Sequence, residues 1–130
     1  MMLVLCVQLP NMAIFDVGDA TDIEGVLDLV YEWNGPAYIR MLRKEVPRLF
    51  PANEPMVFNR ARTITEGDDV LILSSSICTE EAMRATAALE DKGVSVQHMH
   101  VSTLKPFTDP TIVEALKKCK YGVVYNGKSL

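Results

Sequence analysis

Residues 70–98 read VLILSSSICTEEAMRATAALEDKGVSVQH, and this stretch decides the fold class. Val70 to Leu73 is the continuous apolar run that a strand buried on both faces requires, and Ser74-Ser75-Ser76 ends it. Thr79 is a good helix N-cap, and Glu80 and Glu81 sit at the positive end of the helix dipole. Lys92-Gly93 supplies a closing cation and a C′ glycine, so a helix is expected over residues 80–92. Val94, Val96 and His98 then alternate with Ser95, Gln97 and Met99 as a strand does. Strand, helix, strand in succession implies a parallel crossover.

Downstream, Asp109-Pro110 is an N-cap followed by proline at the first helical position, which predicts a helix over residues 110–120. Its apolar face is Ile112, Val113, Ala115, Leu116 and Cys119, with Lys117, Lys118 and Lys120 at the negative end of the dipole. Gly122 to Tyr125 resumes as a strand. Upstream, Ala61 to Thr65 reads as an edge strand and Glu66-Gly67-Asp68-Asp69 as a turn. From Arg43 to Asn59 the chain carries Pro47, Pro51 and Pro55 and no periodicity, so it reads as a stiffened connection. That divides the chain into residues 1–46, a linker at 47–56, and residues 57–130.

In the first part, Met12 to Phe15 is a short apolar run, and Thr21-Asp22-Ile23-Glu24 has the form of a helix capping box. Ile23, Val26, Leu27 and Val30 share one helix face, Asn34-Gly35-Pro36 stops it, and Ala37 to Leu42 suits a buried strand. Met1 to Leu9 is apolar, lacks the basic start of a signal peptide and is too short to span a membrane, so a buried strand is expected there. The expected class is α/β, a layered three-layer fold with a mainly parallel sheet, cut short at both ends.

Composition agrees with a globular chain: 130 residues, 48% hydrophobic and 23% charged. A formal net charge of -4, with no basic stripe, argues against nucleic acid as a partner. Cys6, Cys78 and Cys119 are odd in number and never spaced as a zinc or disulfide motif, which points to reduced thiols and a cytoplasmic setting.

Four groups of residues bear on chemistry. His98 and His100 fall on one face of a strand, as a metal pair would, yet no third ligand is implied, so they read as sheet histidines. Ser74 to Ser76 before a helix has the makings of an anion cradle but lacks the glycines and lysine of a phosphate loop, and reads as a polar turn. Cys78 has no base or orienting partner and reads as a packing residue. Arg40 and Arg43 lie at the carboxyl end of a buried parallel strand, where open α/β sheets bind ligands. Arg43 is the better placed, and a guanidinium fork there suits a sugar phosphate, with a solvated salt bridge as the open alternative.

Five ordered words carry a resemblance: Leu9-Pro10-Asn11-Met12; Asp19-Ala20; Gly35-Pro36-Ala37-Tyr38-Ile39-Arg40-Met41-Leu42-Arg43; Glu66-Gly67-Asp68-Asp69-Val70; and Val101-Ser102-Thr103-Leu104-Lys105-Pro106-Phe107. Together they resemble the second half of transketolases. The resemblance implies an enzyme that moves a two-carbon ketol unit between sugar phosphates with thiamine diphosphate and a divalent metal such as Mg2+. It makes residues 1–46 the closing strand-helix-strand of a pyrimidine-binding domain and residues 57–130 part of a C-terminal domain. It places the substrate-phosphate arginine on Arg43 and implies no catalytic, cofactor-binding or metal-binding residue in this chain, since the diphosphate signature is absent. The implied partners are a transketolase N-terminal section or subunit and a second copy of the chain, with no membrane and no nucleic acid. The chain alone is expected to be inactive. The readings left open are a non-catalytic α/β interaction or dimerisation module, and a fragment of a deoxyxylulose-phosphate synthase or of a 2-oxo acid dehydrogenase β subunit.

Overall fold

A computed structural model of the chain describes residues 2–126. The chain is α/β, as expected, with its strands divided between two sheets. β1 (Ala13–Asp16) and β2 (Ala37–Arg40) run parallel and are joined by α2 (Ala20–Glu32), which is the crossover the sequence implies. On its other side β1 pairs antiparallel with a strand the sequence reading missed, β6 (Thr103–Lys105), so this sheet is mixed, in the order β2-β1-β6.

The second sheet has the order β3-β5-β4-β7. β3 (Arg62–Thr65) lies at the edge as expected and is antiparallel to β5 (Val96–His100). β4 (Val70–Ser74), β5 and β7 (Tyr121–Tyr125) are parallel. α3 (Cys78–Asp91) covers one face through Ala82 and Leu89 against Ile72 and Val96, and α4 (Pro110–Lys118) covers the other through Ile112 and Ala115 against Leu71, Leu73 and Met99. Gly67, in the turn between β3 and β4, presses on β5 so closely that a Cβ there would sit 2.5 Å from the Val96 backbone. Only glycine fits that approach.

Three local expectations are corrected. Met1 to Leu9 is not a strand: α1 covers Met2–Gln8, with Cys6 buried and Leu5 and Val7 exposed. An apolar run of that length carries no period that separates strand from helix, and this one is rich in Leu and Met, which are not branched at Cβ and favour helix. The cap of α2 is Asp19, whose carboxylate accepts the Asp22 N–H, not Thr21, which lies buried in the first turn. Aspartate is the stronger cap, and an Asp19-x-x-Asp22 frame lies two residues ahead of the one predicted. α3 starts at Cys78 with no side-chain cap, because its first amides are met by the Ser75 and Ser76 carbonyls, which frees the Thr79 hydroxyl for another partner.

The apolar faces are narrower than their periodicity suggests. In α2, Val26, Leu29, Val30 and Trp33 pack on Phe15 and Phe58, while Leu27 and Tyr31 are 58% and 91% exposed. In α4, Val113 and Leu116 are exposed. Asp109 caps α4 as predicted, accepting the Thr111 N–H. Among the described residues no helix is long and apolar enough to cross a membrane.

Candidate functional site

The parallel pair β1 and β2 places both carboxyl ends beside the first turn of α2, the position at which open α/β sheets present ligands. The register sets Arg40 opposite Asp16. The Arg40 fork donates from Nε to Asp16 Oδ1 at 3.0 Å and from Nη2 to Oδ2 at 2.6 Å, and it reaches Asn126 Oδ1, just past β7, at 3.0 Å. Its pKa is raised chiefly by the Asp16 hydrogen bond. Arg40 is therefore a structural clasp between the sheets.

Arg43 follows three residues later on the segment that leaves β2. Its side chain is exposed, and it makes no hydrogen bond or ion pair with any described residue. Its neighbours Leu42 and Lys44 line a shallow hollow of about 50 Å³ with Val17, Gly18, Asp19, Ile23 and Val46. Lys44 is a second cation at this strand end that the sequence reading did not single out; its adjacency to Arg43 was the available signal.

Sequence reading also missed a buried polar chain that joins α2 to the second sheet. Asp22 Oδ2 accepts the Gly18 N–H at 2.9 Å and meets His100 Nε2 at 2.6 Å. His100 Nδ1 lies 2.6 Å from Thr79 Oγ1, Thr79 Oγ1 lies 3.0 Å from Ser74 Oγ, and Ser74 Oγ lies 2.7 Å from His98 Nε2. Asp22, His98 and His100 are 0% exposed. For a neutral His100, one proton order satisfies every link. His98 Nε2–H donates to Ser74, Ser74 to Thr79, Thr79 to His100 Nδ1, and His100 Nε2–H to the Asp22 carboxylate. The order leaves His98 Nδ1 as a bare acceptor, and that atom has no partner. Gly18 closes over His100, where a Cβ would sit 2.9 Å from the ring.

Charge follows from this geometry. Burial raises the Asp22 carboxyl, but the hydrogen bond and charge of His100, the Gly18 N–H and the nearby Arg62 guanidinium outweigh it, and its pKa ends below the usual 3.8. Burial, with the neighbouring His100 charge, pulls His98 down to about 4. A second proton on His98 would fall on Nδ1, where no described group accepts it.

His98 and His100 share one side of β5, but hydroxyls and a carboxylate engage His98 Nε2 and both nitrogens of His100, which leaves only His98 Nδ1 without a partner. Among the described residues no three His, Cys, Asp or Glu side chains gather as ligands. The buried carboxylates of Asp16, Asp19, Asp22 and Asp109 are engaged with Arg40, helix-cap amides and His100. A hollow near β7, about 390 Å³, is walled by Leu73, Val101, Phe107, Ile112, Leu116 and Val124, and among the described residues its lining offers a diphosphate no cation. The described residues do not fit thiamine diphosphate with its metal.

Residues 59–129 match the family model described as the transketolase C-terminal domain. The chain is 28% identical over 111 residues to the 6-deoxy-6-sulfo-D-fructose transketolase subunit of a Clostridium strain, covering 85% of this chain and 34% of that one. It is 24% identical over 111 residues to an apulose-4-phosphate transketolase subunit of Actinobacillus succinogenes, covering 85% and 36%. A solved structure described as a split gene transketolase, "inactive beta4 tetramer", superposes with a TM-score of 0.90 at 31% identity, over 95% of this chain and 42% of that one. The chain spans about a third of the length of the microbial curated relatives and less than a fifth of the mammalian ones. A family model covering more than half of the residues, and a fold shared almost end to end with a split transketolase, lead to one conclusion: the chain belongs to the transketolase family, as a C-terminal section.

Proposed function

We propose that the chain works as one section of a thiamine-diphosphate enzyme that transfers a two-carbon ketol unit between sugar phosphates, and that it supplies Arg43 to hold the substrate's phosphate. The observation that carries this is the position of Arg43: exposed, unpaired among the described residues, and just outside the carboxyl end of a parallel strand. A guanidinium there presents its fork to a tetrahedral anion without first breaking an ion pair. The cofactor is held by a partner section carrying the diphosphate-binding domain, and the chain alone is inactive. A second copy of the chain completes the assembly, in keeping with the exposed apolar residues of α2 and β7, Leu27, Tyr31, Val123 and Val124.

The relative from Clostridium is described as acting on a sulfonated sugar, and a sulfonate offers a guanidinium the same three-oxygen face. Phosphorylated and sulfonated donors therefore both belong in the assay. In the assembled enzyme, Arg43→Ala raises KM for the anionic donor by roughly one to three orders of magnitude, the worth of a charge-assisted bidentate contact, and leaves an uncharged ketose nearly unaffected. Equal losses on charged and uncharged substrates refute the clamp. Ketol transfer by the purified chain with thiamine diphosphate and Mg2+ alone refutes the dependence on a partner.

A further inference from the structure

The segment that carries Arg43 is an arch with two fixed feet. The near foot is β2 itself, ending on the Arg40–Asp16 fork. The far foot is Leu49 and Phe50, whose backbone N–H groups both donate to Asp19 Oδ2, at 2.8 and 2.9 Å. Phe50 is buried between the Arg62 guanidinium, 4.3 Å from its ring centre, and the His100 ring at 4.9 Å. On the outside, Arg48 Nη1 donates to Thr21 Oγ1 at 2.7 Å and Nη2 pairs with Glu24 at 3.1 Å, while Thr21 Oγ1 donates to the Phe50 carbonyl at 3.0 Å. Between the feet, no hydrogen bond joins residues 41–47 to any other described residue. Among the described residues the feet are therefore the hydrogen-bonded anchors of the arch, and between them only side chains such as Leu42 and Val46 lie against Val17 and Ile23.

We infer that Asp19 is a positioning residue for the anion clamp: one carboxylate oxygen caps α2 while the other holds the far foot of the arch, and so fixes the place at which Arg43 presents its guanidinium. The inference rests on the reading of Arg43 given above. The chemistry calls for a carboxylate. Asp19 is 1% exposed, Oδ1 accepts the Asp22 N–H at 2.9 Å, and Oδ2 accepts two more. Serine or threonine has one oxygen and cannot serve both sides. Asparagine keeps the cap but turns an NH2 toward two N–H donors, which frees the foot. Clamps of this kind tolerate little displacement, because about 1 Å of misplacement is enough to lose most of a well-oriented contact.

The test separates the foot from the clamp. In amide hydrogen exchange of the full chain, Asp19→Asn speeds exchange at Leu49 and Phe50 by about tenfold or more, while the Asp22 amide and the β4 and β5 amides keep their protection. In the assembled enzyme the same variant raises KM for the anionic donor by about tenfold, with kcat and the KM for an uncharged ketose unchanged. If Arg43→Ala is selective and Asp19→Asn is not, the positioning role is overturned and the clamp stands. If neither is selective, the clamp itself falls and the positioning role with it. Should Asp19→Asn fail to fold, Arg48→Ala carries the test. It releases the outer ties and leaves the buried cap intact, so a smaller KM shift of the same selectivity supports the inference, and an unchanged KM overturns it.

Discussion

His98 should make the protein acid-sensitive well above the range in which its carboxylates titrate. Folded, its pKa is pulled to about 4 by burial and by His100; unfolded, it returns to the ordinary 6.5. Between these values the unfolded chain binds a proton that the folded chain refuses, so stability rises with pH through this window. The contribution is complete above about pH 6.5 and is lost as pH falls toward 4. A tenfold change in proton affinity is worth about 1.4 kcal/mol, so His98 alone costs about 2 kcal/mol between about pH 7 and 4.5. Asp22 works in the same direction but lower down, because its stabilisation is lost only as pH drops below 3.8. The assay is urea unfolding at a series of pH values for the native chain and for His98→Gln, whose amide can still donate to Ser74. The variant starts less stable, but its curve is flatter between about pH 6.5 and 4.5, and the two converge by about 2 kcal/mol. Parallel curves across that window would refute the buried, neutral His98 and the proton order built on it.

The two arginines of β2 and its exit should separate cleanly. Arg40→Ala leaves the buried Asp16 carboxylate unpaired and costs about 3 kcal/mol of stability. Arg43→Ala, which removes no described contact, changes it by less than about 0.5 kcal/mol in the same denaturation experiment. Gly67→Ala forces a Cβ to within 2.5 Å of the Val96 backbone, where no flexible side chain can yield. It should cost about 2 kcal/mol or more, read as a lower urea midpoint with an unchanged slope.

Much of the fold was legible because its signals are local. The β4–α3–β5 unit followed from one apolar run, a pair of glutamates and Lys92-Gly93, and Gly93 does take a positive φ of 81° at the helix end. The cap at Asp109 was readable from two residues. β6 was not, because its three residues matter only through pairing with β1, some ninety positions away, and no local pattern announces such a partner. The polar chain was hidden for the same reason. Asp22 read as part of a capping box and Thr79 as a cap, and neither reading hints at His100, although a strand with two histidines beside Ser74-Ser75-Ser76 and Thr79 did offer complementary donors and acceptors. Arg43 was placed from the end of its strand alone, whereas Asp19 gives no sign in sequence of holding Leu49 and Phe50.

The buried histidines also answer a question of register that the apolar residues leave open. All five residues of β5 are buried, so alternation does not say which side of the strand faces α3 or how far it should slide between β3 and β4. A slip of two residues keeps every side chain on its own face and exchanges one buried side chain for another, which hydrophobic packing penalises weakly. It would nevertheless bring His98 to the place of His100 and Val96 to the place of His98, so that the Ser74 hydroxyl would lose its imidazole and His100 would be left without Asp22 and Thr79. Each unmatched group costs about 1–3 kcal/mol, more than a shuffled apolar contact. Because the polar chain terminates on Asp22, the register chosen by His98 and His100 also fixes the first turn of α2 against the second sheet. The arch is tied to that same turn through Asp19, so the buried polar groups also bear on where its far foot stands.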